Sequence, residues 1–216
     1  MLVVNHLAKH FMREGRPHRL FSDLSFSVAP GERLAVLGRN GQGKSTLIKI
    51  LGGVLVPSAG EVRWSMTASW PLGFGGGFQG SLTGLDNIRF VARIYDRPIG
   101  DMLRQVEDFA ELGDALTIPL KYYSTGMRAR LAFGLSLAIE FDCYLIDEVI
   151  AVGDAIFRRR CEEELFEKRR ERAFVIASHD MQFIADSCRR ALVIESGQTV
   201  LYDNIEEAIA AYGAYV

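Results

Sequence analysis

The stretch that decides the fold is Gly38-Arg39-Asn40-Gly41-Gln42-Gly43-Lys44-Ser45-Thr46, in the first quarter of a 216-residue chain. It fits the pattern G-x-x-x-x-G-K-[ST], a glycine-rich turn that holds the phosphates of a nucleotide. The apolar run 33–37 precedes it and predicts a buried strand, and apolar residues at helical spacing follow it over 46–51. Strand, turn and helix are the context that this motif needs, so an ordinary glycine-rich turn is the weaker interpretation.

The residue types in this loop suit phosphate binding. Glycines let backbone N–H groups turn toward an anion, and the N-terminus of the following helix adds a partial positive charge. We expect the ammonium of Lys44 to reach the β- and γ-phosphates of a nucleotide, and the hydroxyl of Ser45 to bind Mg²⁺. The other nucleotide-binding candidates of the loop are Gly38, Asn40, Gly41, Gly43 and Thr46.

Composition limits the class of protein. The chain is 49% hydrophobic and 24% charged with a net charge of −2, which is ordinary for a globular protein and implies no general attraction to nucleic acid. Three cysteines without C-x-x-C spacing argue against a disulfide framework or a zinc site. The start, Met1–His6, lacks the pattern of a signal peptide, and the longest apolar region, 131–146, is interrupted by acidic residues. If this protein acts at a membrane, we expect another chain to cross it.

Two further apolar runs end in polar side chains. Residues 143–146 lead into Asp147 and Glu148, and residues 173–177 lead toward His179. In an open α/β sheet, ligands bind beyond the carboxyl ends of the strands, so we expect these side chains beside the P-loop. Asp147 would hold Mg²⁺ through water, Glu148 would polarise the attacking water, and His179 would contact a γ-phosphate. The alternatives are a solvated strand end for the acids and a structural role for the histidine.

The middle of the chain predicts a helical lobe. Helical spacing covers 85–95 and 101–112, and Ser124 is placed to cap the helix that follows it. A hydroxyl, a glycine at Gly126 and a helix N-terminus also have the form of an anion site, although a plain N-cap is the simpler alternative. Elsewhere we predict strands over 2–7, 21–28, 191–195 and 198–202, a polar loop over 13–19, a charged helix over 155–172 and a terminal helix over 205–215.

Taken together, these motifs resemble those of an ABC-transporter ATPase subunit over nearly the whole chain. In chain order the matches are an aromatic at Phe11, Walker A at 38–46, a signature-like segment at 123–128, the end of Walker B at 145–148, a D-loop at 151–154 that contains Asp154, and a switch histidine at His179. The segments 70–84, 123–127 and 147–154 are similar to those of the ATPases of capsular polysaccharide exporters, whose relatives export O-antigen or teichoic acid. The resemblance implies that Phe11 stacks on adenine, where packing at the edge of a small sheet is the alternative.

That resemblance implies an architecture. We expect an α/β P-loop NTPase fold of the ABC-ATPase type: a RecA-like core sheet, a small N-terminal antiparallel β-subdomain and an inserted helical subdomain. The nucleotide-binding core would comprise 1–80 and 141–216, and the helical subdomain about 81–140 with the signature. Glu148 and His179 would be the catalytic residues, and Ser124, Gly126 and Asp154 would contact ATP.

It also implies partners. We expect ATP and Mg²⁺ as ligands, a homodimer with ATP at its interface, and an integral membrane permease that holds the chain at the cytoplasmic face of the inner membrane. Further cell-envelope export proteins are compatible with this assignment, and nucleic acid is not expected. The alternatives are an ABC ATPase of another exporter class, for O-antigen, teichoic acid or lipid, or a non-transport ABC ATPase.

Two departures from the family pattern concern the site. Thr125 and Met127 replace usual signature residues, so turnover is expected to be unusual. The usual Q-loop glutamine position falls near 73–74, whereas Gln79 lies several residues later. Either the glycine-rich loop brings Gln79 to Mg²⁺, or that ligand is absent, and the second alternative is favoured because a metal ligand needs a fixed position.

Overall fold

The computed structural model describes residues 1–13, 15–72, 78–148 and 155–214. The strands are β1 (Leu2–Arg13), β2 (Arg16–Val28), β3 (Arg33–Leu37), β4 (Ala59–Trp64), β5 (Cys143–Asp147), β6 (Ala173–Ala177), β7 (Arg190–Glu195) and β8 (Gln198–Tyr202). The α-helices are α1 (Lys44–Leu51), α2 (Gly84–Ile94), α3 (Ile99–Ala110), α4 (Thr125–Leu137), α5 (Ala155–Glu162), α6 (Met181–Ser187) and α7 (Ile205–Gly213). Among the described residues, no helix is long and apolar enough to cross a membrane.

A five-stranded sheet forms the core and carries the nucleotide motifs. Its order is β5-β6-β3-β7-β8, with β8 antiparallel to β7 and the other neighbours parallel. β6 is buried along its length and β3 is buried after Arg33, as apolar strands covered on both faces should be. Because the parallel strands run the same way, the loops after β3, β5 and β6 share one edge.

A second, antiparallel sheet has the order β2-β1-β4. The alternating segment 21–28 packs Leu24, Phe26 and Val28 into the core, as its pattern predicted. The loop predicted over 13–19 is wrong, because β2 begins at Arg16 and pairs with β1, for example His18 with Phe11. Arg16, His18 and Arg19 are exposed on this strand, and exposed polar residues on a strand have the same composition as a loop.

The chain divides into two compact units, each described here by itself. The first comprises residues 1–71, 141–148 and 171–216, and contains both sheets. The second comprises residues 72–140 and 149–170, and its described elements are helices joined by loops. Its α3, α4 and α5 meet in a cluster of Phe109, Phe133 and Phe157.

The single helix predicted over 155–172 is wrong beyond Glu162. A π-helical turn, Glu163–Glu167, follows α5. In this wider turn the N–H of Lys168 donates to the carbonyl of Glu163, five residues earlier. The guanidinium of Arg169 then donates to the carbonyls of Glu164 and Leu137, which ties the turn to the end of α4.

Candidate functional site

The P-loop joins β3 to α1 in a conformation that depends on glycine. Gly41 and Gly43 have φ values of 84° and 110°, in the left-handed region that side chains disfavour. Gly43 is the N-cap of α1 and makes no side-chain hydrogen bond, since it has no side chain. The first N–H groups of a helix have no helical partner, so this turn presents free donors to an anion.

Lys44 lies inside the loop. Its side chain is only 5% exposed, and Nζ donates to the carbonyl of Gly38 at 2.6 Å and to that of Arg39 at 3.3 Å. Burial lowers the pKa of this ammonium, while the charges of Glu148 and Asp147 oppose the shift. The loop therefore holds a cation at its centre, bonded to carbonyls that a phosphate oxygen can replace.

Ser45 and Asp147 bring together a hydroxyl and a carboxylate from two elements. The hydroxyl Oγ of Ser45, at the start of α1, donates to Oδ1 of Asp147 at 2.8 Å, at the end of β5. Hard oxygen donors of this kind suit Mg²⁺, which takes few protein ligands and keeps several waters. Across the part of the chain that the structure describes, no group of three or more His, Cys, Asp or Glu side chains forms a metal site. The residues present thus fit a Mg²⁺ that shares its ligands with phosphate and water.

Glu148, His179 and Asn40 form a hydrogen-bonded cluster at the same sheet edge. Nε2 of His179 lies 2.7 Å from Oε1 of Glu148 and 3.0 Å from Oδ1 of Asn40. Both neighbours are oxygens, so Nε2 carries the proton and donates. Glu148 has a φ of 54°, and its N–H donates to the carbonyl of Ala177. A non-glycine residue held in this region is strained, which is common at functional sites.

The signature-like segment opens α4 in the second unit. Ser124 is the N-cap of this helix, and its Oγ accepts a hydrogen bond from the N–H of Met127 at 3.2 Å, so the predicted capping role is confirmed. Gly126 faces open space: an added Cβ would have Ser124 Oγ, at 3.9 Å, as its nearest neighbour. The helix start is therefore exposed to an incoming ligand, with its N-cap hydroxyl already bonded.

The remaining predicted site residues are Phe11, Gln79 and Asp154. Phe11 is 42% exposed on β1, with Nζ of Lys9 4.8 Å from its ring centroid. The backbone N–H of Gln79 donates to Oδ1 of Asn87, and the Gln79 side chain is exposed in the second unit. Asp154 lies outside the described residues. The roles assigned to these three residues remain predictions.

Sequence reasoning missed one contact that steadies the P-loop. Oε1 of Gln42 accepts a hydrogen bond at 2.8 Å from the N–H of Ser196, in the turn between β7 and β8. Only the polar side chain of Gln42 hinted at this contact, and its residue type does not indicate a partner 154 residues away.

Comparisons with known proteins identify the family of this chain. The profile of the ABC transporter family matches residues 21–151. The chain is 47% identical over 214 residues to the capsule polysaccharide export ATP-binding protein CtrD of Neisseria meningitidis serogroup B, a match that covers 99% of each chain. It is 46% identical over 212 residues to the ATP-binding protein BexA of Haemophilus influenzae, covering 98% of each. The O-antigen export system ATP-binding protein RfbB of Klebsiella pneumoniae is 34% identical over 203 residues, which cover 92% of this chain and 82% of RfbB.

Solved structures share the fold. An ATP-binding subunit of an ABC transporter superposes with a TM-score of 0.80 at 20% identity, covering 99% of this chain and 93% of that one. A dimeric, post-hydrolysis structure of the ATP-binding cassette MJ0796, bound to ADP and Pi, gives 0.78 at 17% identity, covering 94% and 98%. The predicted α/β fold of the ABC-ATPase type is thereby confirmed. The chain is an ABC-type ATPase and belongs to the ABC transporter family, in the group of ATP-binding proteins that includes CtrD and BexA.

Proposed function

We propose that this chain binds and hydrolyses ATP to power the export of a capsular polysaccharide across the inner membrane. The observation that carries the ATPase assignment is the convergence of Lys44, Ser45, Asp147, Glu148 and His179 at one sheet edge. The polysaccharide class rests on the relatives CtrD and BexA, which match nearly end to end. RfbB is less similar over a smaller share of its length, so the capsule class is preferred to O-antigen.

The P-loop residues bind and orient the triphosphate. Lys44 exchanges the carbonyls of Gly38 and Arg39 for β- and γ-phosphate oxygens, and the free N–H groups at the start of α1 donate to the same phosphates. Ser45 would hold Mg²⁺ directly and Asp147 would hold it through water, since their oxygens already lie together at the sheet edge. The ion would supply positive charge opposite the β- and γ-phosphate oxygens. The other contacts come from Gly41, Gly43 and Thr46.

Glu148 and His179 act on the attacking water. Glu148 is 46% exposed on its side chain, so a water reaches its carboxylate, which orients that water and accepts its proton. Nε2 of His179 donates to the same carboxylate and to Asn40, and thereby holds Glu148 next to the P-loop.

A second copy of the chain completes the site. In this proposal ATP lies between the P-loop of one protomer and Ser124 and Gly126 of the other, Phe11 stacks on the adenine, and Asp154 lies at the interface. Support comes from the exposed start of α4 and from the dimeric state of the related cassette MJ0796. ATP that binds the closed dimer more tightly than the open form shifts that equilibrium toward closure.

An integral membrane permease would hold this chain at the cytoplasmic face of the inner membrane. This proposal is supported by the relatives CtrD and RfbB, whose names describe ATP-binding proteins of export systems. Further cell-envelope export proteins would act downstream, and the net charge of −2 gives no reason to expect nucleic acid.

The first experiment measures ATP turnover and dimerisation together. We expect Glu148→Gln to lower turnover by about 10²–10⁴-fold, because the base is lost, and to accumulate a dimer when ATP and Mg²⁺ are added. Adding Ser124→Arg should abolish that dimer in light scattering. The control is Glu162→Gln, the same change at an exposed position of α5. Full turnover by Glu148→Gln, or a dimer that survives Ser124→Arg, would contradict the proposed site.

The polysaccharide assignment is tested in cells. Deleting the gene for this chain in its host should remove polysaccharide from the cell surface and leave it inside the cell. Expressing the intact chain again should restore export. The Glu148→Gln chain should not restore it, whereas Glu162→Gln should. Normal surface polysaccharide in the deletion strain would contradict the substrate class while leaving the ATPase assignment intact.

A further inference from the structure

The segment that leads into the signature helix is fixed by a buried tyrosine. Tyr123 directly precedes Ser124, its side chain is 4% exposed, and its hydroxyl donates to the carbonyl of Ala115 at 2.6 Å. Its N–H also donates to the carbonyl of Leu120 at 3.0 Å. Burial, with a smaller contribution from Glu107, raises the pKa of this phenol, so the hydroxyl stays a donor at neutral pH. Both the backbone and the side chain of Tyr123 are therefore fixed by hydrogen bonds.

Gly84, the first residue of α2, packs directly against this hydroxyl. A Cβ added at Gly84 would lie 2.5 Å from Oη of Tyr123 and 2.9 Å from Cδ2 of Leu116. Contacts that short do not occur, so the hydroxyl occupies the space that a side chain at Gly84 would need. The position of Tyr123 is thus set by α2 as well as by Ala115.

The turn before α2 is hydrogen-bonded to the same segment. The N–H of Leu120 donates to the carbonyl of Leu82 at 3.0 Å, and that of Lys121 donates to Gly80 at 2.8 Å. Asn87, 2% exposed, holds this turn from α2: its Oδ1 accepts from the N–H of Gln79 and its Nδ2 donates to the carbonyl of Thr83 at 2.8 Å. These bonds satisfy the buried amide of Asn87 and fix the turn to α2.

Arg128 closes the arrangement from α4. Its Nε donates to the carbonyl of Leu120 at 3.2 Å and its Nη2 to that of Lys121 at 3.3 Å. The segment 120–123 is consequently bonded on one side to the turn before α2 and on the other to the helix that Ser124 caps. Donors at a helix start bind a phosphate well only if they are held within a few tenths of an ångström.

We propose that Tyr123 is a positioning residue for the signature: its hydroxyl, wedged between Ala115 and Gly84, sets where Ser124 presents its donors to a phosphate held by the second copy of the chain. This inference rests on the proposed function, since it acts through the contact of Ser124 with ATP. It also links the turn 79–84, which begins at Gln79, to the start of α4.

The test uses the full chain with Glu148→Gln, so that dimers accumulate. Two quantities are measured for each variant: the affinity of the monomer for a fluorescent ATP analogue, and the ATP concentration at half dimerisation. Tyr123→Phe removes only the hydroxyl, and we expect it to raise the dimerisation midpoint about threefold to tenfold, the effect of one lost hydrogen bond, with monomer affinity unchanged within about twofold. The matched control is Tyr122→Phe, whose side chain is 67% exposed and which should change neither quantity.

A rescue separates positioning from general stability. Gly84→Ala should weaken dimerisation more than Tyr123→Phe does, because its Cβ overlaps the hydroxyl, and combining the two should recover part of the loss since the overlap with Oη is gone. If Tyr123→Phe does not fold, Asn87→Ala replaces it, since it removes the bonds that hold the turn 79–84 to α2. It should likewise raise the dimerisation midpoint and leave monomer affinity unchanged.

The outcomes are distinguishable. An unchanged midpoint in Tyr123→Phe, or parallel losses of dimerisation and monomer affinity, would overturn the positioning role while Ser124→Arg still abolishes the dimer. A dimer that persists in Ser124→Arg would overturn the proposed function and this inference with it.

Discussion

Two helices in this chain begin with a motif suited to phosphate, and they begin differently. At α1 the N-cap is Gly43, in a left-handed conformation with no side chain, and a buried Lys44 lies behind it. At α4 the N-cap is Ser124, in an extended conformation, and its hydroxyl already accepts the N–H of Met127. The start of α1 leaves its backbone N–H donors for a ligand. At α4, the hydroxyl of Ser124 already accepts a hydrogen bond from one of the corresponding donors. A phosphate reaching α4 must therefore compete with Ser124 for the N–H of Met127.

The largest contrast is expected between glycines of the two motifs. A Cβ at Gly38 would lie 2.5 Å from the carbonyl oxygen of Ile194 in β7, so Gly38→Ala should cost roughly 3 kcal/mol of unfolding free energy and more than about tenfold in nucleotide affinity. Gly126→Ala meets no such obstacle and should leave stability unchanged or raise it by up to about 1 kcal/mol. Urea unfolding and titration with a fluorescent ATP analogue measure both. Equal losses in the two variants would remove the contrast.

Ser124→Asp separates capping from phosphate binding. Aspartate caps a helix as well as serine does, so the free energy of unfolding should stay within about 0.5 kcal/mol. Its negative charge opposes a phosphate, so ATP-driven dimerisation in the Glu148→Gln background should weaken more than about tenfold. Asn204→Asp makes a similar change at the N-cap of α7 and should leave dimerisation alone. Undiminished dimerisation in Ser124→Asp would mean that no phosphate approaches α4.

Ser124→Ala and Ser124→Gly test whether α4 depends on its cap in the free protein. Alanine should lower the free energy of unfolding by about 1 kcal/mol, because the hydrogen bond to the Met127 N–H is lost. Glycine should cost only a few tenths, about what separates the two residues at N-caps. Denaturant unfolding without nucleotide is the measurement. If the two variants matched wild type, α4 would start as α1 does, without a side-chain cap.

The smallest expected effect is on the pH dependence of stability, through the buried ammonium of Lys44 in α1, which has no counterpart at the start of α4. Burial lowers the pKa of Lys44 below its ordinary 10.5, so in the pH range just below 10.5 unfolding takes up a proton and stability rises with pH. The three buried thiols, whose pKa values burial raises to about 12, act in the opposite direction above pH 9. The difference between wild type and Lys44→Met cancels the thiols. The unfolding free energy of wild type minus that of Lys44→Met should rise as pH rises toward 10.5. A difference that stays constant with pH would contradict a lowered pKa.

Sequence predicted well what depends on neighbours along the chain. The P-loop follows from nine consecutive residues, and Asp147, Glu148 and His179 follow from the rule that strand ends share an edge. The Ser124 cap needed only its own residue type and the helical pattern after it. Each of these signals is local, and the parallel order of the core strands converts them into one cluster.

The features that sequence did not predict depend on distant partners. The pairing that makes strand out of residues 16–19 comes from β1, and the buried bonds of Asn87 come from a turn that its own helix pattern does not show. The role of Tyr123 requires both the carbonyl of Ala115 and the missing side chain of Gly84. The π-helical turn after α5 departs from a helical pattern that continues unbroken in the sequence. Such pairings add no local signature that composition or periodicity would reveal.

The residues that meet near Glu148 are synthesised at widely separated times. The hydrogen-bonded pair Ser45 and Asp147 is separated by 102 residues, and the pair Asn40 and His179 by 139. At ribosomal rates of 5–20 residues per second, the P-loop emerges about 7–28 s before the histidine that completes the cluster. A nascent chain displays the loop before it has Asp147 and His179, so nucleotide contacts that need all three form only near the end of synthesis. Cellular ATP would then favour complete chains over truncated ones, in proportion to its excess over the dissociation constant.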